Sequence, residues 1–423
     1  MGRIYPILSC TIVQTSTPYL QDKSGKSRPL SSITGHFGCQ TDSNCASSAP
    51  VQVNIIQRHG ARFPTSGSTE RILAALKKLQ SAPVFTDIRL SFVKDYRYPL
   101  GVAELVPFGA YQSAESGAIV YDRYRKLVSK GNIPFVRASG STRVIDSATN
   151  WTSGFAEASN NIFEPRLAVV LNESLNDTLE DAMCPRAGDS ATQTALWIDA
   201  FSDSIAERLN VWAPGANITT SDVPSLMSLC AFESVALEKI SSWCSLFTTK
   251  EFLRYEYYSD LEKFYGRGYG QELGPVQGVG YINELLARLT GMPVRDNTQT
   301  NHTLTASPIT FPLDRTIYAD FSHDNLMGLF KQPALLDPLQ PDPKRTWLSN
   351  QLVPFSARLV VERMQCRGAP PRRNAALGDL VRKDTFVRVL VNDAVQPLKF
   401  CGADKHGLCT LEAFVQSQSY ART

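Results

Sequence analysis

Three short segments share one hydrophobic pattern. The first, "VQVNIIQRHGARFPT" (residues 51–65), starts as an apolar, β-branched run from Val51 to Ile56. Within two residues it becomes Arg58-His59-Gly60-Ala61-Arg62. The second, "IPFVRASGSTR", is apolar from Pro134 to Val136 and ends at Arg137 and Arg143. The third, "TIYADFSHDN", ends at His323-Asp324-Asn325. β-branched and aromatic runs that stop at small turn formers predict strands. In open α/β sheets, ligands sit beyond the carboxyl ends of parallel strands. Three such ends, far apart in sequence, are therefore expected to meet at one site.

Helical periodicity lies between them. In "SGAIVYDRYRKLVSKG", Val120, Tyr124, Leu127 and Val128 fall at i, i+4, i+7 and i+8, and Gly131 supplies a stop. In "GVGYINELLARLTGMP", Val279, Ile282, Leu285, Leu286 and Leu289 form one stripe closed by Gly291 and Pro293. Residues 150–275 are helix-prone and rich in aromatics, without an alternating strand pattern. The expected organisation is an α/β domain over 46–149 and 276–423, interrupted by a mainly α-helical insertion over 150–275. Its sheet is expected to be mixed, largely parallel and flanked by helices. Residues 1–45, rich in Ser, Thr, Gly and Lys, read as a loosely structured N-terminal segment, and 367–384 as a surface loop.

Composition narrows the class. Of 423 residues, 43% are hydrophobic and 20% charged, as in ordinary globular proteins. A net charge of +3, with no Lys/Arg run, argues against a nucleic-acid partner. No apolar run approaches the ~18 residues of a membrane span. The nine cysteines contain no Cys-x-x-Cys pair. Their short intervals, Cys39/Cys45, Cys230/Cys244 and Cys401/Cys409, read as local disulfide loops, with reduced core cysteines as the alternative. Five Asn-x-Ser/Thr sequons occur, at Asn150, Asn172, Asn176, Asn217 and Asn301, where composition alone gives roughly two. Both features favour a secreted protein, although "MGRIYPILSCTIVQ" is a poor signal peptide.

The chemistry is concentrated in R-H-G-x-R-x-P. A chance match to its five specified positions in this length is on the order of 10⁻⁴. Guanidinium groups are planar, stay charged and fork onto phosphate oxygens. Two of them around a histidine would hold a phosphoryl group before an imidazole nitrogen, and Gly60 lets the backbone turn closely. A carboxylic acid such as Asp324 could protonate an alkoxide leaving group. Asp324 could instead simply cap the next helix. No metal or cofactor is required, and the sequence shows no compact His/Asp/Glu cluster that would hold a metal.

These residues resemble the signature of the histidine acid phosphatases. "RHGARFPT", "LVPFGA", "FVRASGSTRV", "NWTSGF", "LGPVQGVGYINELLARLTG", "TFPLDRTIYADFSHDN" and "VRVLVNDAVQPLKFCG" look like the fungal phytase branch, most closely the basidiomycete 6-phytases. The resemblance spans about residues 50–420. It implies hydrolysis of phytate (myo-inositol hexakisphosphate), by a monomer, through a phosphohistidine on His59. Arg58, Arg62 and Arg143 would clamp the phosphate, with His323 as a further donor and Asp324 as general acid. Arg137 competes with Arg143 for the third arginine. Asn325 either contacts substrate or starts a helix. Lys94, Arg97 and Lys263 are candidates for a basic rim. Disulfides Cys230–Cys244, Cys401–Cys409 and Cys45–Cys366 are implied, with Cys184 free.

The chain departs from that pattern twice. The segment "LMGLFKQPALLDPL" after Asn325 is short and contains Pro333, and "RGAPPRRNAALGDLVRKDTF" is extra sequence after Cys366. The alternatives are a broad-specificity phosphatase of the same family, a catalytically impaired phosphate-binding relative, or a phosphoglycerate mutase-like transferase. A transferase would not need the helical insertion, the sequons or the disulfide loops.

Overall fold

A computed structural model describes residues 19–21, 27–29, 47–180, 184–327, 335–367 and 385–422. Strands β1 (Tyr19–Gln21) and β2 (Ser27–Pro29) pair antiparallel. The remaining strands are β3 (Ser47–Arg58), β4 (Phe135–Ser139), β5 (Leu167–Leu171), β6 (Ile317–Ser322), β7 (Arg358–Arg367), β8 (Thr385–Val391), β9 (Ala394–Val395) and β10 (Cys409–Thr410). They form one eight-stranded sheet in the order β10-β8-β7-β3-β6-β4-β5, with β9 on β8. The sheet is mixed. Strands β3, β6, β4 and β5 are parallel, and β7, β8 and β10 run antiparallel beyond β3. The three strands expected from sequence are thus neighbours, with β6 between β3 and β4.

Helices cover both faces. Helix α1 (Ser66–Gln80) follows the first motif. Helices α2 (Pro107–Tyr124) and α3 (Thr142–Ala158) lie on one face, where Val120, Trp151 and Phe155 pack against Val53, Ile55, Val136 and Phe321. The predicted stripe of α2 is in register at Val120 and Tyr124, but the α-helix ends at Tyr124. A 3₁₀ turn and a bridge between Ser129 and Asn132 turn the chain early, leaving Leu127 and Val128 half-buried. Helices α4 (Ala191–Trp212), α5 (Val223–Ala236) and α6 (Thr249–Gly266) follow β5. After the short α7 (Gly274–Gln277), α8 (Val279–Thr290) covers the other face, and Gly291 ends it in a left-handed turn at φ 72°. That is the conformation glycine adopts without strain.

Two features bear on the expected organisation. Residues 150–275 include one strand, β5, hydrogen-bonded in parallel to β4, among their helices. The aromatic core of α4–α6 also draws in Ile72 and Leu76 of α1, and Trp347. That helical part is therefore not closed in sequence. Cys230–Cys244 and Cys401–Cys409 are bonded, and Cys184 is free. The expected Cys45–Cys366 bridge, Cys10, Cys39, Pro333 and the 368–384 loop lie outside the described residues or side chains.

Packing of α2 on α3 sets where the site's helix begins. A Cβ on Gly117 would sit 2.0 Å from the Trp151 carbonyl oxygen, and one on Gly154 1.9 Å from that of Ala114. Gly154→Ala should therefore separate the helices and cost about 2 kcal/mol. Gly131→Ala, with nothing within 4 Å, serves as the control. Thermal unfolding checks this: equal midpoints for the two variants would refute the tight approach.

Candidate active site

The register of two strands builds the centre. Arg58 is the last residue of β3 and pairs with Ser322, the last of β6. The His59 amide continues that ladder by donating to the Ser322 carbonyl at 3.0 Å. His59 and His323 therefore leave adjacent strand ends together, with ring centroids 5.7 Å apart. The loop after β3 is clamped by both helices of that face. The Gly60 amide donates to Ser147 Oγ (2.9 Å) and the Ala61 amide to Gln112 Oε1 (3.0 Å). A Cβ at position 60 would sit 2.2 Å from the Gly109 carbonyl oxygen, so only glycine allows α2 this close.

His59 is buried, and its Nδ1 lies 2.9 Å from the Gly60 carbonyl oxygen. A carbonyl only accepts, so the ring proton sits on Nδ1 and the lone pair on Nε2. Burial, reinforced by Arg58, Arg62, His323 and Arg143, holds the His59 pKa well below its ordinary value. Burial and the surrounding cations thus favour the neutral imidazole, with Nε2 unprotonated.

Cationic groups surround it. Arg58 is fully buried, with its guanidinium 4.4 Å over the Phe355 ring, one Nη on the Val353 carbonyl and the other 3.0 Å from Asp324 Oδ2. Arg62 donates to the Phe63 carbonyl at 2.8 Å. Burial, then Arg58 and Arg143, lower its pKa to about 9, so it remains charged in acid. Arg143, on the first turn of α3, brings Nη2 to 3.3 Å from His323 Nδ1. Among the described residues, the buried Nε atoms of Arg58, Arg62 and Arg143 have no hydrogen-bond acceptor. Such orphaned donors are costly unless an anion answers them.

Asp324 follows His323 directly. Burial alone would raise its pKa, but Arg58 and Lys263 outweigh that and hold it well below the usual carboxylate range. Lys263 lies 3.1 Å from Asp324 Oδ2 and donates to Asn325 Oδ1 at 2.9 Å. Of the rim candidates, Lys263 thus joins the centre. Lys94 lines a surface groove with Pro83, Phe85 and Ser91, and Arg97 is exposed, on the Tyr96 carbonyl.

Arg137 is used elsewhere. It is the strand partner of Asp320 and holds that carboxylate at 2.8 and 3.1 Å and Glu284 at 2.7 Å, while Arg288 reaches Asp320 at 2.6 Å. The cluster around His59 therefore contains Arg143. Sequence reasoning missed two of its neighbours, Glu173 and Glu180, each 3.2 Å from His323 Nε2. The run "ESLNDTLED" carried a signal in its spaced carboxylates, but only recognition of β5 would have placed it. It also corrects the expectation of no compact His/Asp/Glu cluster, since the ligand atoms of Glu173, Glu180 and His323 lie within 4.8 Å of one another. Burial opposes charge on His323, but the two glutamates outweigh it and raise its pKa to about 9. In its protonated form His323 answers the charge of these carboxylates.

Among the sequons, Asn172, Asn176 and Asn217 are exposed. Asn150 lies inside α3 with its amide on the Asp146 carbonyl, and the Asn301 side chain caps a short helix.

A neutral, buried histidine among arginines at parallel strand ends defines a phosphoryl-transfer site on an α/β fold. The family model described as histidine phosphatase superfamily (branch 2) matches residues 51–392, and the chain belongs to that superfamily. Phytase A of Aspergillus oryzae is 37% identical over 428 residues, covering 94% of this chain and 89% of the relative. Phytase A of Aspergillus terreus is 40% identical over 398 residues, covering 88% and 82%. Among solved structures, the phytase from D. castellii shares the fold with a TM-score of 0.71 at 22% identity, over 97% of this chain and 85% of that one. The Bifidobacterium longum multiple inositol polyphosphate phosphatase, solved with inositol hexasulfate, gives 0.64 at 14% identity, over 91% and 95%.

The two arginines of the second motif should separate by experiment. Arg143→Ala should raise the inhibition constant for inorganic phosphate about ten-fold or more, with an unfolding midpoint near that of the unaltered protein. Arg137→Ala should instead destabilise by about 3–5 kcal/mol, because it strands buried carboxylates. The reverse pattern would exchange the two roles.

Proposed function

We propose that this protein hydrolyses the phosphomonoesters of phytate in two displacements at His59. The observation that carries this is the neutral His59 Nε2 set among Arg58, Arg62, Arg143 and His323, with Asp324 alongside. In the first step the Nε2–P bond forms as the ester P–O bond breaks, and Asp324 gives its proton to the departing inositol oxygen. In the second, a water oxygen attacks phosphorus, the Nε2–P bond breaks, and Asp324 takes the water's proton. Phosphoryl transfer goes through a loose transition state, so charge stabilisation and positioning by the arginines supply most of the catalysis. The covalent intermediate divides one hard displacement into two.

Asp324 must gain a proton before it can act. Beside Arg58 and Lys263 it is ionised. A phosphate dianion shares the charge of Arg58 and adds its own, and both effects raise the carboxyl pKa. Activity then falls as pH rises through the Asp324 pKa in the complex. The two disulfides and the exposed sequons at Asn172, Asn176 and Asn217 support a secreted, glycosylated protein.

Phosphate release from phytate and from p-nitrophenyl phosphate, measured between pH 3 and 7, tests this reading. The expected optimum on phytate is at about pH 4 to 6. Asp324→Asn should lower phytate turnover by about a hundred-fold or more, but p-nitrophenyl phosphate, whose leaving group needs no proton, far less. Equal losses would remove Asp324 as proton donor. Activity on p-nitrophenyl phosphate alone would mean that Asp324 is not held in place, and would favour the catalytically impaired reading.

A further inference from the structure

We propose that Glu173, backed by Glu180, is the positioning residue that joins two of the phosphate ligands. It holds His323 as a double hydrogen-bond donor and locks it to the first turn of α3, which carries Arg143. This rests on the reading of the site as a phosphate-ester centre, and it assigns a task to residues that make no contact in the two displacements.

Glu173 lies two residues beyond β5, at the end of the fourth parallel strand. Its Oε1 accepts from the Ser141 amide at 2.8 Å and from Ser139 Oγ at 2.9 Å, and lies 3.2 Å from His323 Nε2. Its Oε2 accepts from Ser141 Oγ at 2.8 Å. Ser141 is the N-cap of α3, yet its side chain makes no cap bond to its own helix. One carboxylate therefore ties the β4–α3 turn to the residue that follows β6. A carboxylate at a helix N-terminus is also favoured by the helix dipole.

The protons can be counted. Ser139 Oγ lies 2.9 Å from Glu173 and 2.7 Å from Asp177 Oδ2. A hydroxyl carries one proton, so it cannot donate to two carboxylates, and one acid must be protonated and donate to it. Asp177 is fully buried, and burial raises its pKa to about 6. Glu173 is held down at about 2, chiefly by its bond to His323. The order in acid is therefore Asp177 to Ser139 to Glu173, with Glu173 charged and facing His323.

His323 then donates from both nitrogens. The groups that face it are Glu173 and Glu180 from the loop after β5, Arg143 from α3 and His59 from the end of β3, with Asp177 behind Ser139. Its Nε2 proton goes to Glu173, with Glu180 3.2 Å away as a second negative charge. Its Nδ1 proton lies beside Arg143 Nη2 at 3.3 Å. Two donors do not bond each other, and a pair this close suits a single shared anion. Without the glutamates, burial and Arg143 would return the His323 pKa to 6.5 or below. The donor would then be lost as pH rises through the acid range in which the enzyme works.

Sulfate keeps its charge between pH 4 and 8, so its inhibition constant isolates changes in the protein. For the unaltered enzyme on p-nitrophenyl phosphate, no weakening attributable to His323 is expected up to pH 8. In Glu173→Gln/Glu180→Gln, sulfate should bind normally near pH 4.5 and weaken about ten-fold by pH 7.5. Glu173→Asp with Glu180 intact should restore part of the loss. A purely structural role would weaken sulfate equally at every pH, and that result would overturn the proposal. Imidazole NMR of the unaltered protein decides the matter even if the variants fail to fold. His323 should remain protonated beyond pH 8, and titration near pH 6.5 would refute the assignment. An unaltered enzyme inactive on every ester would refute the phosphatase reading instead, while the NMR result would still stand.

Discussion

The contact on which the site depends is the buried ion pair between Arg58 and Asp324, at 3.0 Å. A guanidinium with no solvent exposure is costly unless its charge is answered. Here the answer comes from the strand beside it, because the parallel register of β3 and β6 places Arg58 opposite Ser322, two residues before Asp324. The same register sets His59 beside His323. Moving either strand by one residue would turn these groups to the opposite face and leave Arg58 buried and unpaired. Fold stability and site geometry are thus one constraint. In the proposed mechanism the pair also sets the chemistry, since Asp324 would become a proton donor only when an incoming anion takes over part of the charge of Arg58.

Two histidines 5.7 Å apart are given opposite protonation states by their surroundings. His59 is buried among cations, and its Nδ1 proton is held by a carbonyl, so its pKa falls and Nε2 keeps a lone pair. His323 is nearly as buried but faces two glutamates, so its pKa rises. In the proposed mechanism one residue type thereby supplies both a nucleophile and a cation at the same acidic pH. The arginines alone would not make this division, because they depress both rings. It is Glu173 and Glu180 that separate them.

Much of this was legible in the sequence, for identifiable reasons. The R-H-G-x-R-x-P motif and the three strand-like runs are local patterns, and each lies where its chemistry acts. The choice between Arg137 and Arg143 was not settled by local pattern, because both follow the same apolar run. Their fates differ through strand register, which pairs Arg137 with Asp320, while Arg143 starts a helix at the strand's end. β5 was not legible because "LAVVL" is a continuous five-residue apolar run without polar alternation, which periodicity alone does not assign to a strand. Missing it also hid Glu173 and Glu180, whose position depends on that strand. Lys263 reaches Asp324 through the packing of α6, which no sequence spacing announces.

The central claim is that His59 carries the phosphoryl group between the two displacements. It is tested most directly by mixing enzyme with radiolabelled phosphate ester at pH 5, stopping the reaction in alkali within milliseconds, and mapping the label. Alkali preserves a phosphorus–nitrogen bond. The expected result is label on the peptide containing His59, forming faster than the steady state and absent from His59→Ala. Label on another residue, or a full single turnover without any protein-bound label, would contradict the account.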